Sequence, residues 1–364
     1  MTIEPPAYVL PLRWTADVDR LAELTGYLAW LRTRCRVVVV DGSPPELFAR
    51  HRAAWAGLVT HLRPDDELRC RNGKVHGVRT GLRRATGDVV VIADDDVRYD
   101  EASLASVLRE LDRADVVVPQ NVFEPLPWHA RWDSARSLVN RAFGTDYPGT
   151  LGVRRHRYDA AGGYDGDVLF ENLELIRTMR AAGATVRFAR GVFVRRRPPT
   201  VRTFWSQRVR QAFDSLAQPG RLAAELAILP AGVALARRRQ WQMSAAAVVA
   251  AIAIAEAGRR RDGGTRAYPA SAALWAPAWV LERGVCSWVA VAMRVLAGGV
   301  SYAGTRLAVA AHSQAMLDRA VRDRAAQDRA ALDVAALTRR SGWPGAPTWT
   351  PGSPPRRGSR RRTA

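Results

Sequence analysis

The chain has 364 residues, a formal net charge of +20 and a pI near 11.2. That length can bury a substantial core in one large domain or two smaller ones, and the charge implies affinity for something acidic: nucleic acid, anionic lipid or a phosphorylated substrate. Three widely spaced cysteines, Cys35, Cys70 and Cys286, sit in no CxxC or Cys/His pattern, so neither a zinc site nor a disulfide framework is indicated. All but one of the basic residues are Arg, the exception being Lys74, so the high pI reflects a compositional bias and is weak ground for nucleic-acid binding. Met1 to Pro6 shows no basic stretch followed by an apolar one, so a secretory signal is not expected and the first domain is expected to stay cytoplasmic.

In chain order, Ala7 to Leu12 reads as an opening strand and Asp17 to Leu31 as a helix. Arg36 to Val40 is a strand ending in Asp41-Gly42-Ser43-Pro44-Pro45, a turn that cannot continue it. The beat then repeats: helix 46–56, strand 58–62, helix 73–85, strand 89–93, helix 101–112, strand 115–119. Alternating strands and helices with continuous apolar strands predict a mostly parallel α/β sheet covered on both faces. Ligands of such sheets bind beyond the carboxyl ends of the strands, where Asp41 and Asp94-Asp95-Asp96 stand. Further on come a helix over 171–182, short strands at 186–189 and 192–194, and a basic loop, Arg195-Arg196-Arg197-Pro198-Pro199.

After Thr203 the text changes to apolar, Ala-rich runs at 226–236, 243–255, 268–281 and 285–293, punctuated by Arg clusters. Each falls short of the roughly 18 residues of an evident spanning helix. A soluble helical subdomain and a set of interfacial, re-entrant or short spanning helices compete; Trp241, Trp275, Trp279 and Trp288 beside Arg favour association with an anionic membrane surface. The expected organisation is an α/β domain over 1–200, an apolar helical region over 201–312, a charged helix over 313–341 and a disordered basic tail over 342–364.

The chemistry centres on Val89 to Ala93 running into Asp94-Asp95-Asp96. Three adjacent carboxylates need a neutralising cation, and two alternate ones at a strand end suit Mg²⁺ or Mn²⁺. The plainer reading is a solvated acidic turn before the helix at Glu101. Taken with Asp41 and with Asn72-Gly73-Lys74 opening a helix, the pattern over about residues 7–215 resembles family 2 glycosyltransferases, whose nucleotide-sugar domain has the GT-A fold. The resemblance implies that Asp41 meets the base or ribose of the donor. It implies likewise that Asp94 meets the ribose or sugar, Asp96 holds the metal on the diphosphate, and Lys74 contacts phosphate. Gly149-Thr150-Leu151-Gly152 and Gly162-Gly163-Tyr164-Asp165 resemble the acceptor-side segment, which implicates Gly163 and Asp165.

Phe170-Glu171-Asn172 stands where the family carries its acidic pair, and the usual base is replaced by Asn172, an amide without a proton-accepting pKa in range. Glu171 is therefore the expected general base, with Asp165 and Asp167 as alternatives. Gln207-Arg208-Val209-Arg210-Gln211 resembles the QxxRW motif with Gln in place of Trp, placing Gln207 and Arg210 at the acceptor or diphosphate and counting against processive polymer synthesis. The implied activity is metal-dependent, inverting transfer of a sugar from a nucleotide-sugar donor to a lipid or glycan hydroxyl, in a protein of the cell membrane whose catalytic domain faces the cytoplasm. Binding of nucleic acid is not expected. The competing readings are a nucleotidyltransferase, which shares an acidic metal site and releases pyrophosphate, and a non-catalytic lipid- or nucleic-acid-binding protein with a degenerate nucleotide site.

Overall fold

The computed structural model describes residues 4–16, 20–302 and 304–340. The start of the expected helix at Asp17 and the expected basic tail over 342–364 lie outside these residues. In chain order the elements are β1 (Ala7–Leu12), α1 (Leu21–Leu31), β2 (Arg36–Asp41), α2 (Pro45–Ala54), β3 (Thr60–Leu62), α3 (Gly73–Arg84), β4 (Val89–Ala93), β5 (Val97–Arg98) and α4 (Glu101–Leu111). Then follow β6 (Val116–Phe123), α5 (Trp128–Phe143), β7 (Thr150–Arg154), α6 (Arg155–Ala160), α7 (Glu171–Ala181) and β8 (Val186–Arg196).

The sheet order is β3-β2-β1-β4-β7-β6-β8-β5. The first four are mutually parallel, β7 runs antiparallel between β4 and β6, β6 and β8 are parallel, and β5 returns antiparallel on β8. This is the mixed α/β sheet of a GT-A fold. Side chains alternate across each strand: Tyr8, Leu10, Val37, Val39 and Val91 face the core shared with Leu24, Leu28 and Leu104. Ala7, Val9, Val90 and Ile92 face the opposite core, with Val75, Val78, Leu175 and Ile176. The two strands expected at 186–189 and 192–194 are one strand. A register shift between Pro119, opposite Ala189, and Gln120, opposite Phe193, absorbs the residues between them.

Beyond β8 the chain is helical: α8 (Val201–Ser206), α9 (Arg208–Phe213), α10 (Pro219–Arg237), α11 (Trp241–Arg260), α12 (Ala270–Ala273) and α13 (Ala276–Leu296). The run at 268–281 is split between α12 and α13, and its end from Ala276 joins the run at 285–293 in one helix, within which Arg283 is buried. The helices also outrun the apolar text that announces them. Pro219–Arg237 and Trp241–Arg266 are long and apolar enough to cross a membrane, and only 6% and 11% of their apolar windows are buried. The second half of α11 is tied down: Gly258 lies so close to α5 that a Cβ there would stand 1.9 Å from the Leu138 carbonyl oxygen. Buried Arg141 donates to the carbonyls of Arg190 (2.8 Å) and Arg261 (2.5 Å).

The region 201–312 is not helical throughout. Its end forms a hairpin, β9 (Val300–Tyr302) and β10 (Thr305–Leu307), that returns to the α/β domain. Thr305 Oγ1 donates to the Arg71 carbonyl, and the Leu169 and Phe170 amides donate to the carbonyls of Val309 and Ala310. A last helix, α14 (Gln314–Arg340), begins at the end of this segment; residues from Asp318 onward form a separate unit.

Candidate active site

Glu171 and the triple aspartate are joined by Lys74. Its Nζ lies 2.5 Å from Asp94 Oδ1 and 2.6 Å from Glu171 Oε1. Burial works against the ammonium charge, but the two carboxylates outweigh it and raise the pKa. Asn72 makes the junction possible. Its side chain caps α3 by accepting from the amides of Lys74 (3.0 Å) and Val75 (3.4 Å), and its Nδ2 donates to the Val168 carbonyl (2.9 Å). One residue thus sets the start of the helix bearing Lys74 and the approach of the chain to Glu171.

Asp94, Asp95 and Asp96 have separate partners. Asp95 Oδ2 accepts from Trp14 Nε1 (2.5 Å) and Arg20 (3.0 Å) in the turn that follows β4, partners that neither Asp94 nor Asp96 shares. Arg196, from β8, donates to Asp96 Oδ2 (2.9 Å) and Asp94 Oδ2 (3.3 Å). Burial raises the Asp96 carboxyl to about 6, with Asp94 and Asp95 adding to the rise and Arg196 opposing it. Gly149 packs against this pair: a Cβ there would lie 2.5 Å from Asp94 Oδ2, so only glycine lets β7 start so close to the carboxylate.

Asp96 Oδ1 is buried without a hydrogen-bond partner, which fits a divalent cation as its missing neighbour. Among the described residues no three His, Cys, Asp or Glu side chains converge as a metal cluster, so an ion held by Asp96 needs further oxygens from a bound ligand.

Asp41 is placed differently from the expectation of a direct donor contact. It is fully buried. Its Oδ2 is within hydrogen-bond distance of His51 Nδ1 (2.7 Å) and His61 Nε2 (3.1 Å), and Oδ1 accepts from the Ser43 amide (2.9 Å). Burial pushes its carboxyl up, but the bonds from His61, Ser43 and His51 prevail and bring it down to about 2. Ser43 Oγ in turn accepts from the Trp14 amide, so Asp41 organises the turn at the ends of β1 and β2 from beneath.

The substitution that removes the usual base also has a local cause. Asn172 Nδ2 donates to the Pro148 carbonyl (2.7 Å), a bond no carboxylate makes, and so steadies the chain entering Gly149. Gly162 and Gly163 form a left-handed turn after α6, with φ of 74° and 76°. Asp165 is exposed and caps the Asp167 amide (2.8 Å). The structure therefore puts these two residues in the loop leading to Glu171. Gln207 lies at the junction of α8 and α9, and Arg210 sits over the ring of Tyr302, 5.1 Å from its centroid.

Sequence reasoning missed Arg196, Tyr302 and Asp214. Tyr302 is brought in by the hairpin, among the charges of Glu171, Arg210, Lys74 and Asp94, and burial raises its pKa. Burial, reinforced by Glu171, pushes Asp214 up to about 7 against the pull of Arg210, Arg283 and Arg136. A search for acid–base pairs on one motif cannot find residues supplied from such distant stretches.

The cleft thus joins a partly buried carboxylate pair at a strand end, two cations, Lys74 and Arg196, and a further carboxylate, Glu171. Residues 25–169 match the model of glycosyl transferase family 2. The chain carries a glycosyl transferase family 2 domain and is a glycosyltransferase. Similar solved structures include a mannosyltransferase from Pyrobaculum calidifontis in complex with GDP-Man and Mn²⁺, at 20% identity over 79% of this chain and 90% of that one, with a TM-score of 0.45. Another is S. aureus TarS in complex with UDP-GlcNAc, at 15% identity over 56% of this chain and 61% of that one, with a TM-score of 0.40. No curated protein matches.

Proposed function

We propose that the chain moves a sugar from a nucleotide-sugar donor to an acceptor hydroxyl in one inverting displacement. The observation that carries this reading is the Asp94–Lys74–Glu171 junction, with Lys74 Nζ 2.5 and 2.6 Å from the two carboxylates. When donor binds, its diphosphate competes for Lys74 and Arg196, the cations that neutralise the carboxylates in this structure. Glu171, released from Lys74, takes the proton of the acceptor hydroxyl as the oxygen attacks the anomeric carbon. Lys74 and Arg196 stabilise charge developing on the departing diphosphate. Asp96, with Asp94 beside it, is the residue that would hold Mg²⁺ or Mn²⁺, which when bound supplies further neutralisation of that leaving group. Asp41 shapes the base end of the cleft through Ser43 and His61.

The acceptor side is assigned to Arg210 and Gln207, with Gly163 and Asp165 fixing the loop before Glu171. The exposed apolar faces of α10 and α11, with Trp241, Met243 and Val249 at the surface and Arg237 to Arg239 between them, support attachment to an anionic membrane surface. A cytoplasm-facing enzyme acting on a lipid or cell-envelope glycan precursor is the corresponding setting. Glu171→Gln tests the base: transfer should fall by about 10²–10⁴-fold while donor binding survives, and the product of the wild-type enzyme should show an inverted anomeric centre by NMR. Undiminished transfer by Glu171→Gln would move the base elsewhere.

A further inference from the structure

Helix α7 starts without a side-chain cap, and the segment that follows the hairpin β9–β10 holds its beginning instead. The amides of Leu169 and Phe170, the last residues before Glu171, donate to the carbonyls of Val309 (3.0 Å) and Ala310 (2.7 Å). Two residues on, His312 turns its backbone and its ring to the same helix. Its amide donates to Glu174 Oε2 (2.7 Å), its Nδ1 donates to Glu174 Oε1 (2.8 Å), and its carbonyl accepts from Arg177 (2.6 Å). Gln314 Nε2 closes the run on the Arg177 carbonyl (3.1 Å).

Glu174 is fully buried, one turn past Glu171 on α7. An ionised carboxylate taken out of water is costly unless its oxygens are bonded, and both oxygens of Glu174 are bonded by one residue 138 positions along the chain. Asp165 Oδ2 stands 4.0 Å from the same ring nitrogen. At the other end of the segment, Thr305 Oγ1 donates to the Arg71 carbonyl (3.0 Å), beside the Asn72 cap of the helix that carries Lys74. Residues 305–314 thus form a strap that ties together the two stretches of chain whose side chains meet in the 2.6 Å contact of Lys74 with Glu171.

We propose that Glu174 and His312 are positioning residues, whose clamp sets where α7 begins and so where the Glu171 carboxylate stands beside Lys74. This rests on the reading of Glu171 as the general base. A base must stand within hydrogen-bond reach of the hydroxyl it deprotonates, and a displacement of about 1 Å costs on the order of 10²-fold in rate. Both residues act through Glu171 and not on the substrate.

The single lysine of the chain is the probe. In the full chain labelled with ¹³Cε-lysine, one resonance reports Lys74, and its position depends on whether Glu171 Oε1 stays 2.6 Å away. His312→Ala should move that resonance in the direction in which Glu171→Gln moves it. His312→Asn, which returns a donor close to the place of Nδ1, should restore the wild-type position. In the transfer assay applied to Glu171→Gln, His312→Ala should lower kcat by about 10–10²-fold with the donor KM unchanged, and His312→Asn should recover most of the loss. A merely structural role would lower the unfolding midpoint and leave the resonance and the rate per folded molecule alone. A wild-type resonance or a wild-type kcat in folded His312→Ala overturns the proposal. Arg177→Met, which frees the His312 carbonyl and should shift the resonance the same way, decides if His312→Ala does not fold. Undiminished transfer by Glu171→Gln would instead strike at the base reading, and the lysine resonance would still decide whether the clamp positions Glu171.

Discussion

Asp214 gives the residue scale its clearest test, because its charge is held by no hydrogen bond among the described residues and burial lifts its carboxyl to about 7. Between about pH 4 and pH 7 the folded protein keeps a proton that the unfolded chain releases. The stabilising contribution of the neutral form is therefore complete at low pH and is lost as pH rises through 7. Asp214→Asn should remove that slope: relative to the variant, the wild type should lose on the order of 4 kcal/mol between pH 4 and pH 8, read from urea midpoints. A parallel pH dependence in the two proteins would mean that Asp214 titrates normally. What could be read from single residues was uneven. Asp94, Asp96, Lys74 and Glu171 stood out because each is unusual for its place: three acids on a strand end, one lysine in a chain of arginines, an acid beside an asparagine. Arg196 carries no such mark, since arginine is everywhere in this sequence. Its importance comes from its partners Asp94 and Asp96, about 100 residues away.

At the scale of elements, periodicity located β1, β2, β4, α3, α4 and α7 well, because their apolar faces are buried on both sides of one sheet. It did not locate β9 and β10. Two three-residue strands have no periodicity to read, and their place over the site depends on tertiary contacts from Thr305, Val309 and Ala310. The coupling of α3 to α7 is likewise invisible locally, since Asn72 reads only as a helix cap. In the structure it also bonds the Val168 carbonyl and takes the Gly166 carbonyl through its amide. Asn72→Ala should therefore cost more than an ordinary cap, about 2–3 kcal/mol by urea denaturation, and should weaken Lys74-dependent donor binding as well. Loss of no more than about 1 kcal/mol with donor affinity intact would reduce Asn72 to a simple cap.

For the whole molecule, the basic charge and the apolar helices point to the same surface. The sequence showed the apolar runs but cut them short at their polar ends, where the helices in fact continue. Exposed Trp241, Met243, Val248 and Val249 on α11 and Leu229 and Val233 on α10 form faces that the protein leaves uncovered. The full chain should float with vesicles containing anionic lipid. High salt should reduce that binding without abolishing it, because screening removes the Arg contribution and leaves the apolar one. Complete release by salt would make the attachment purely electrostatic, and no flotation at low salt would remove the membrane from the description.

Donor recognition at Asp94 and Asp96 underlies every step described above, and calorimetric titration of nucleotide sugars in the presence of Mn²⁺, comparing wild type with Asp96→Ala, tests it most directly. One nucleotide sugar should bind the wild type with an affinity that falls when Mn²⁺ is withdrawn, and Asp96→Ala should weaken it by about tenfold or more while the variant still unfolds cooperatively. Equal affinity in a well-folded Asp96→Ala variant, or no nucleotide sugar bound by the wild type, would contradict the assignment.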